Sequence, residues 1–264
     1  TPYYPAYVNA IKALNLDIIF IDGEIDTGYQ PTEDKLQKVK NNIKGIVVAS
    51  PANPTGSSLK NSTLKQIAKW CMKNNKVIIC DEIYHGIEYV QKSNTILRYN
   101  KDAIIINSFS KYFCMTGWRL GWIIAPKNII NVIEKLSMSL FLCPSTIAQI
   151  IATKAFDDYD ILNQNVSIYG KNRELLINFF EDKGLNKYAP ADGAFYLYID
   201  ISNISNNSDS LANRLLTEIG VSVTSGKDFD YKFGEKFIRI SYGGSNKSVI
   251  EAIKRIGSWI KLKN

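Results

Sequence analysis

Short apolar runs alternate with longer amphipathic segments through the first half of the chain. The runs are rich in β-branched residues and occupy residues 17–21, 45–49, 77–80, 103–106 and 120–125. Between two of them, residues 59–74 place Leu64, Ile67 and Cys71 at helical spacing. Strands that alternate with helices predict an α/β fold, with a mostly parallel sheet covered by helices on both faces.

The second half of the chain predicts a helical region and then a smaller α+β domain. Residues 127–157 indicate two helices broken at Cys143-Pro144, and one long helix follows at about 160–182. Further strands are expected near 195–200, 221–224 and 236–242, ahead of a final amphipathic helix. The predicted domains are a large domain at 1–160, a bridging helix at 161–182 and a small domain at 183–264.

Polar residues follow three of the apolar runs. Asn53, the pair Asp81 and Tyr84, and Lys111 each come just after a separate run. Because open α/β sheets build their ligand crevice at the carboxyl ends of the strands, we expect these side chains to converge. An amine partly withdrawn from water has a lowered pKa and can attack a carbonyl to form a Schiff base. The alternative is that Lys111 is one more solvated lysine.

Five motifs stand in an order that is typical of one enzyme family. They are Asn-Pro-Thr-Gly at 53–56, Asp-Glu-Ile-Tyr at 81–84, Ser-Phe-Ser-Lys at 108–111, Gly-Trp-Arg-Leu-Gly at 117–121 and Phe-Ile-Arg-Ile-Ser at 237–241. On these motifs the whole chain resembles a class I/II aminotransferase of fold type I, dependent on pyridoxal 5′-phosphate, and is similar to the aspartate-aminotransferase-like subfamily. The resemblance implies transamination of an L-amino acid with a 2-oxo acid by a ping-pong Schiff-base mechanism.

The resemblance also implies roles for the residues around the cofactor ring. Lys111 would carry the cofactor as a Schiff base and move the proton of the substrate Cα. Asp81 would pair with the pyridine nitrogen, so that the ring can act as an electron sink. Asn53 and Tyr84 would donate hydrogen bonds to the phenolic oxygen. A turn asparagine and a core tyrosine are the alternatives for the last two.

The resemblance further implies which residues bind the cofactor phosphate, the face of the cofactor ring and the substrate. Ser108 and Arg119 would bind the phosphate, and an arginine between two tryptophans would be costly to bury without an anionic partner. Tyr4 would stack on the pyridine face, with a core or interface tyrosine as the alternative. Arg239 would clamp the α-carboxylate of the substrate, together with Asn53. A surface arginine on an edge strand is the alternative for Arg239.

Composition agrees with an enzyme of the cytoplasm. No apolar run approaches the roughly 20 residues that cross a bilayer. The formal net charge of +7 comes from basic residues scattered among acidic ones, so neither nucleic acid nor a membrane is predicted as a partner. Cys71, Cys80, Cys114 and Cys143 lack the spacing of metal ligands and are expected to be free thiols packed like small apolar side chains. We expect no metal site, and a structural or solvent-facing role for His85.

The resemblance also bears on the extent of the chain. Thr1 falls at a segment that lies well inside the large domain of the resembled enzymes. We therefore expect an incomplete chain that lacks part of the cofactor site and of the dimer contact, with a homodimer when full length. Loose cofactor binding by the 264 residues alone would follow. A pyridoxal-phosphate lyase on the same scaffold and a cofactor-sensing domain of a transcription regulator stay open as alternatives.

Overall fold

The computed structural model describes residues 1–261, which form two compact units. Unit 1 comprises Thr1–Gln30, Ala52–Ser58 and the chain from Ser167 on, and unit 2 comprises Pro31–Pro51 and Leu59–Val166. The sequence-based domain boundaries at 160 and 182 stay predictions. Among the described residues, the structure has no helix that is both long enough and apolar enough to span a bilayer.

The elements follow one another in a regular order. The helices are α1 (Pro5–Ala13), α2 (Glu33–Val39), α3 (Asn61–Lys73), α4 (Lys127–Leu140), α5 (Thr146–Ala155), α6 (Tyr159–Asp182), α7 (Ser208–Ile219) and α8 (Asn246–Lys261). The strands are β1 (Gly45–Ala49), β2 (Val77–Asp81), β3 (Ile104–Ser108), β4 (Gly121–Ile124), β5 (Tyr196–Asp200), β6 (Thr224–Ser225) and β7 (Phe237–Ser241). Short turns of 3-10 helix connect several of them.

Unit 2 is built on a four-stranded sheet in the order β1-β2-β3-β4. The first three strands are parallel neighbours, and β4 pairs antiparallel with β3. Between β1 and β2, α3 buries Leu64, Ile67 and Cys71, which are spaced so that they share one face of the helix. The mostly parallel sheet with flanking helices that the sequence predicts is confirmed.

The break between α4 and α5 lies where the sequence predicts it. Leu142 adopts a left-handed conformation with φ +63°, which a continuing helix cannot accommodate. After Pro144, the hydroxyl of Ser145 accepts a hydrogen bond from the backbone N–H of Ala148 and caps the start of α5. The chain therefore turns between the two helices.

Unit 1 holds a three-stranded antiparallel sheet in the order β5-β7-β6. Between β5 and β6, a polar run at 202–207 ends at Asn207, whose side chain accepts from the N–H of Ser210 and caps α7. That helix ends at Gly220, which takes the left-handed conformation at φ +66°. The aromatic core of the unit contains Tyr198 and Phe229.

Two of the predicted strands are wrong. Residues 17–21 form no strand; the ring of Phe20 packs instead on Tyr3 at 5.2 Å and on Tyr231 at 4.8 Å, so aromatic contacts take the place of a hydrogen-bonded ladder. The strand expected at 221–224 is confined to Thr224–Ser225. Thr224 and Ser225 pair with β7, whereas the N–H of Val221 donates to the carbonyl of Leu215 at 3.0 Å.

Two of the four cysteines are buried and two are exposed. All four are free thiols, as the sequence predicts. Cys71 and Cys80 are buried, and burial raises the pKa of the Cys71 thiol to about 12. The expectation that all four are packed like apolar side chains is wrong for Cys114 and Cys143, which are exposed because both lie in irregular segments between elements.

Candidate active site

The segment between β3 and β4 carries Lys111, and we call residues 108–120 the lysine turn. Phe109 donates its backbone N–H to the carbonyl of Leu120 at 3.1 Å, which closes the base of the turn. Within it, the hydroxyl of Thr116 donates to the Ser110 carbonyl at 2.7 Å. These two hydrogen bonds therefore hold the backbone around the half-buried Lys111.

The lysine turn rests on a hydrophobic cluster. Phe109, Met115 and Leu120 are buried together with Ala152 of α5. The ring of Phe109 packs edge-on against Trp122 at 4.9 Å. Close packing of this kind fixes the backbone of the turn, and with it the point from which the lysine side chain leaves.

The neighbouring strand β2 ends in a carboxylate and a phenol. Asp81, its last residue, is buried and lies opposite Ile106 of β3, and its Oδ1 accepts the N–H of Ile83 at 3.1 Å. Tyr84 follows in the same turn and is also buried. Lys111 Nζ lies 5.7 Å from the centre of the Tyr84 ring, so the structure brings the amine and the aromatic ring together.

Ser108 and Arg119 lie at the two ends of the lysine turn. Ser108 is the last residue of β3 and lies opposite Gly121, and its Oγ accepts the N–H of Ser110 at 3.0 Å. Arg119 adopts a left-handed backbone at φ +51°, and its guanidinium donates to the Thr116 carbonyl at 3.0 Å. The side chain is exposed, so no burial between the two tryptophans occurs. A hydroxyl and a guanidinium at one turn can bind an anion.

A buried carboxyl and an imidazole support the turn that carries Asp81 and Tyr84. Glu82 Oε1 accepts the N–H of Ile96 at 2.9 Å, and burial raises the pKa of this carboxyl. His85 Nδ1 lies 3.5 Å from Glu82 Oε2, and burial lowers the pKa of His85 to about 4. His85 is therefore a neutral structural residue near pH 7, in line with the structural role that the sequence suggests.

Arg239 lies in unit 1, on β7, and its guanidinium is held by four groups. One terminal nitrogen donates to Asn53 Oδ1 at 2.8 Å, and the other donates to Thr224 Oγ1 at 3.1 Å. The guanidinium carbon also lies 4.5 Å from the centre of the Tyr196 ring and 4.6 Å from that of Phe229. Cation–π contacts and two hydrogen bonds together fix the plane of the group.

The segment that carries Asn53 is anchored within unit 1. Gly193 donates its N–H to the carbonyl of Gly56 at 2.8 Å, and the Asp192 carboxylate accepts the N–H of Ser58 at 3.2 Å. Gly56 has φ +65°, and a Cβ there would come within 2.9 Å of the Gly193 carbonyl oxygen. Only glycine fits this approach, which holds Asn53 next to Arg239.

Tyr4 lies directly before α1 in unit 1. Its side chain is 40% exposed and packs edge-to-face on Tyr7 at 5.6 Å. The stacking on a cofactor ring that the resemblance implies for Tyr4 stays a prediction.

Sequence reasoning missed two residues around Arg239, which are Thr224 and Phe229. The contact of Thr224 depends on the pairing of β7 with β6, in which it lies opposite Arg239, and the contact of Phe229 depends on tertiary packing. The alternating pattern at 237–241 marks Arg239 as lying on one face of a strand, but the identity of its neighbours requires the strand register.

The chain matches the family model described as aminotransferase class I and II over residues 1–256. It is 38% identical to the valine–pyruvate aminotransferase of Mycobacterium tuberculosis, and the match covers 98% of this chain and 68% of that protein. It is 33% identical to the (5-formylfuran-3-yl)methyl phosphate transaminase of Methanocaldococcus jannaschii, over 98% of this chain and 67% of that one. The crystal structure of an aminotransferase from Mycobacterium tuberculosis matches with a TM-score of 0.94 at 38% identity, covering 98% of this chain and 68% of that one.

Proposed function

This chain belongs to the class I and II aminotransferase family, and we propose that its lysine turn and the end of β2 hold the cofactor. The enzyme is a pyridoxal-phosphate-dependent transaminase that acts on an amino acid and a 2-oxo acid. When bound, the cofactor supplies a carbonyl carbon that accepts amines and a ring that stores an electron pair.

The groups in unit 2 fit this cofactor chemically. Pyridoxal phosphate presents a carbonyl, a ring nitrogen, a phenolic oxygen and a phosphate. Unit 2 presents the amine of Lys111, the buried carboxylate of Asp81, the phenol of Tyr84, the hydroxyl of Ser108 and the guanidinium of Arg119. The single observation that carries the proposal is that Lys111 Nζ and the ring of Tyr84 lie together at the ends of β3 and β2.

Each of these residues then has a defined task. Lys111 Nζ would hold the cofactor at its carbonyl carbon and would take the proton from the Cα of the substrate amino acid. Asp81 keeps a proton on the ring nitrogen by its negative charge. Tyr84 donates to the phenolic oxygen, and Ser108 with Arg119 donates to the phosphate. The corresponding roles of Tyr4 and Asn53 toward the cofactor stay predictions from the family resemblance.

Arg239 binds the α-carboxylate that every amino acid and 2-oxo acid substrate carries. Its fixed guanidinium offers a fork of N–H donors that matches a carboxylate with two bonds. The Asn53 side chain accepts from Arg239 through Oδ1, and an amide also carries two N–H donors of its own. Asn53 therefore belongs to the substrate site in this proposal.

The test of the cofactor site is the replacement Lys111→Ala. Borohydride reduction of the cofactor-loaded wild type should leave the cofactor mass on the peptide that contains Lys111. The variant should still bind the cofactor through Asp81 and Arg119, yet take no borohydride label and lose at least about 10²–10⁴-fold in activity. Valine with pyruvate, the pair named for the relative, is the first assay. A label on another lysine would refute the assignment.

We further propose that the protein works as a homodimer in the cytoplasm. A group of apolar side chains on α4, α5 and the turn between them is exposed: Leu136, Met138, Leu140, Phe141, Leu142, Ile147 and Ile150. Exposed apolar side chains in such number are typical of an interface between subunits. Two exposed thiols, Cys114 and Cys143, favour a reducing compartment.

Sedimentation of variants tests the dimer. Leu142, which is 80% exposed, should bury its side chain in the dimer, so Leu142→Asp should shift the protein toward monomer. The matched control is Leu216→Asp on α7, where a 53% exposed leucine lies outside this group. A dimer that survives both changes equally would contradict the proposed interface.

A further inference from the structure

Thr224 touches the carboxylate-binding arginine, although it has no part in the family motifs. It lies on β6, directly opposite Arg239 in the antiparallel pair with β7, and it is half-buried. Its Oγ1 accepts a hydrogen bond from one terminal nitrogen of Arg239 at 3.1 Å. The other terminal nitrogen donates to Asn53 at 2.8 Å. The two anchors therefore hold different nitrogens of one guanidinium.

A guanidinium fixed at only one terminal nitrogen keeps freedom to swing about that contact. The aromatic rings of Tyr196 and Phe229 restrict its tilt but offer no directional bond within its plane. A second acceptor at the other nitrogen removes the remaining rotation. The fork then faces a carboxylate in one orientation, and less conformational freedom is lost when the substrate binds.

From this geometry we propose that Thr224 is a positioning residue that sets the orientation of Arg239 for the substrate carboxylate. The inference rests on the proposed function, in which Arg239 binds that carboxylate. Threonine suits the task because its branched Cβ restricts the side chain on a strand and so directs the hydroxyl. Valine has nearly the same shape and lacks the acceptor, which makes it the informative replacement.

The experiment compares Thr224→Val with Thr224→Ser in the cofactor-loaded enzyme. Thr224→Val should raise KM for both the amino acid and the 2-oxo acid by about tenfold, with a much smaller change in kcat. The dissociation constant of a 2-oxo acid, measured by calorimetry, should rise by the same factor. Thr224→Ser keeps the hydroxyl and should retain most of the wild-type affinity for both substrates. The stability of both variants toward urea should stay close to that of the wild type.

Arg239→Lys, run in parallel, separates this inference from the proposed function. A lysine cannot reproduce the two-bond fork, so KM for both substrates should rise by about 10–100-fold while the cofactor absorbance is unchanged. If Arg239→Lys leaves KM unchanged, the proposed substrate role of Arg239 fails. If it raises KM while Thr224→Val does not, the positioning role of Thr224 fails. Equal losses in Thr224→Val and Thr224→Ser, or loss of cofactor from either, would also overturn that role.

Discussion

At the scale of single residues, a substitution of Asp81 should separate the effect on kcat from the effect on cofactor binding. In Asp81→Asn the amide oxygen can still accept the N–H of Ile83, so the turn should keep its shape. The negative charge that holds a proton on the ring nitrogen is lost. We expect kcat to fall by about 10²–10⁴-fold while the cofactor dissociation constant, measured by dialysis, changes little. The control is Asp102→Asn, at an exposed aspartate near the start of β3.

Motifs in the sequence mark some of the candidate site residues, and the structure places these residues near one another. Asp81 ends β2, Tyr84 and Lys111 follow the ends of β2 and β3, and the parallel order of these strands brings the three residues to one edge of the sheet. Thr224 and Phe229 carry no such mark. Both reach Arg239 from segments distant in the chain, and their contacts follow from antiparallel pairing and tertiary packing that no local pattern specifies.

At the scale of elements, Gly86 couples the turn after β2 to the lysine turn. Its φ is +93°, and a Cβ there would come within 2.5 Å of the Tyr112 ring, next to Lys111. Gly86→Ala should therefore destabilise the protein by about 2–4 kcal/mol and displace Tyr112. Urea denaturation and cofactor titration measure the two effects. Gly117→Ala, where a Cβ would meet no atom within 4 Å, is the matched control and should change both far less.

Prediction of elements succeeded where an apolar run has a neighbour to pair with. Residues 45–49 and 77–80 become β1 and β2 because each supplies the other with backbone partners. Residues 17–21 have equal β propensity, yet the ring of Phe20 packs on Tyr3 and Tyr231 and no ladder forms. β propensity shows that a segment can fit into a sheet, but a strand forms only where a neighbouring strand is available for pairing.

At the scale of the whole molecule, His85 makes stability depend on pH. Its folded pKa of about 4 lies below the ordinary value of about 6.5, so the unfolded chain binds more protons between these values. The contribution of His85 is full above about pH 6.5 and is lost as the pH falls toward 4. Glu82, whose pKa burial raises, acts in the opposite sense and loses its contribution as the pH rises.

Comparison with His85→Gln isolates the histidine, because Glu82 is present in both proteins. Between about pH 6.5 and pH 4, the wild type should lose about 2–3 kcal/mol of unfolding free energy more than the variant does. Urea denaturation at a series of pH values measures the difference. Parallel pH curves for the two proteins would show that His85 is not buried as a neutral imidazole.

The pairing of β7 constrains how this protein can change during evolution. Arg239 shares its face of the sheet with Tyr198 and Thr224, while Ile238 and Ile240 are buried on the other face. A one-residue insertion or deletion ahead of Arg239 would exchange the two faces and turn the guanidinium into the apolar core. A two-residue change would keep the face and shift the group by about 7 Å along the strand. Descendants that acquire a new substrate must therefore do so by point substitution around this strand, and indels should be confined to the loops beyond its ends.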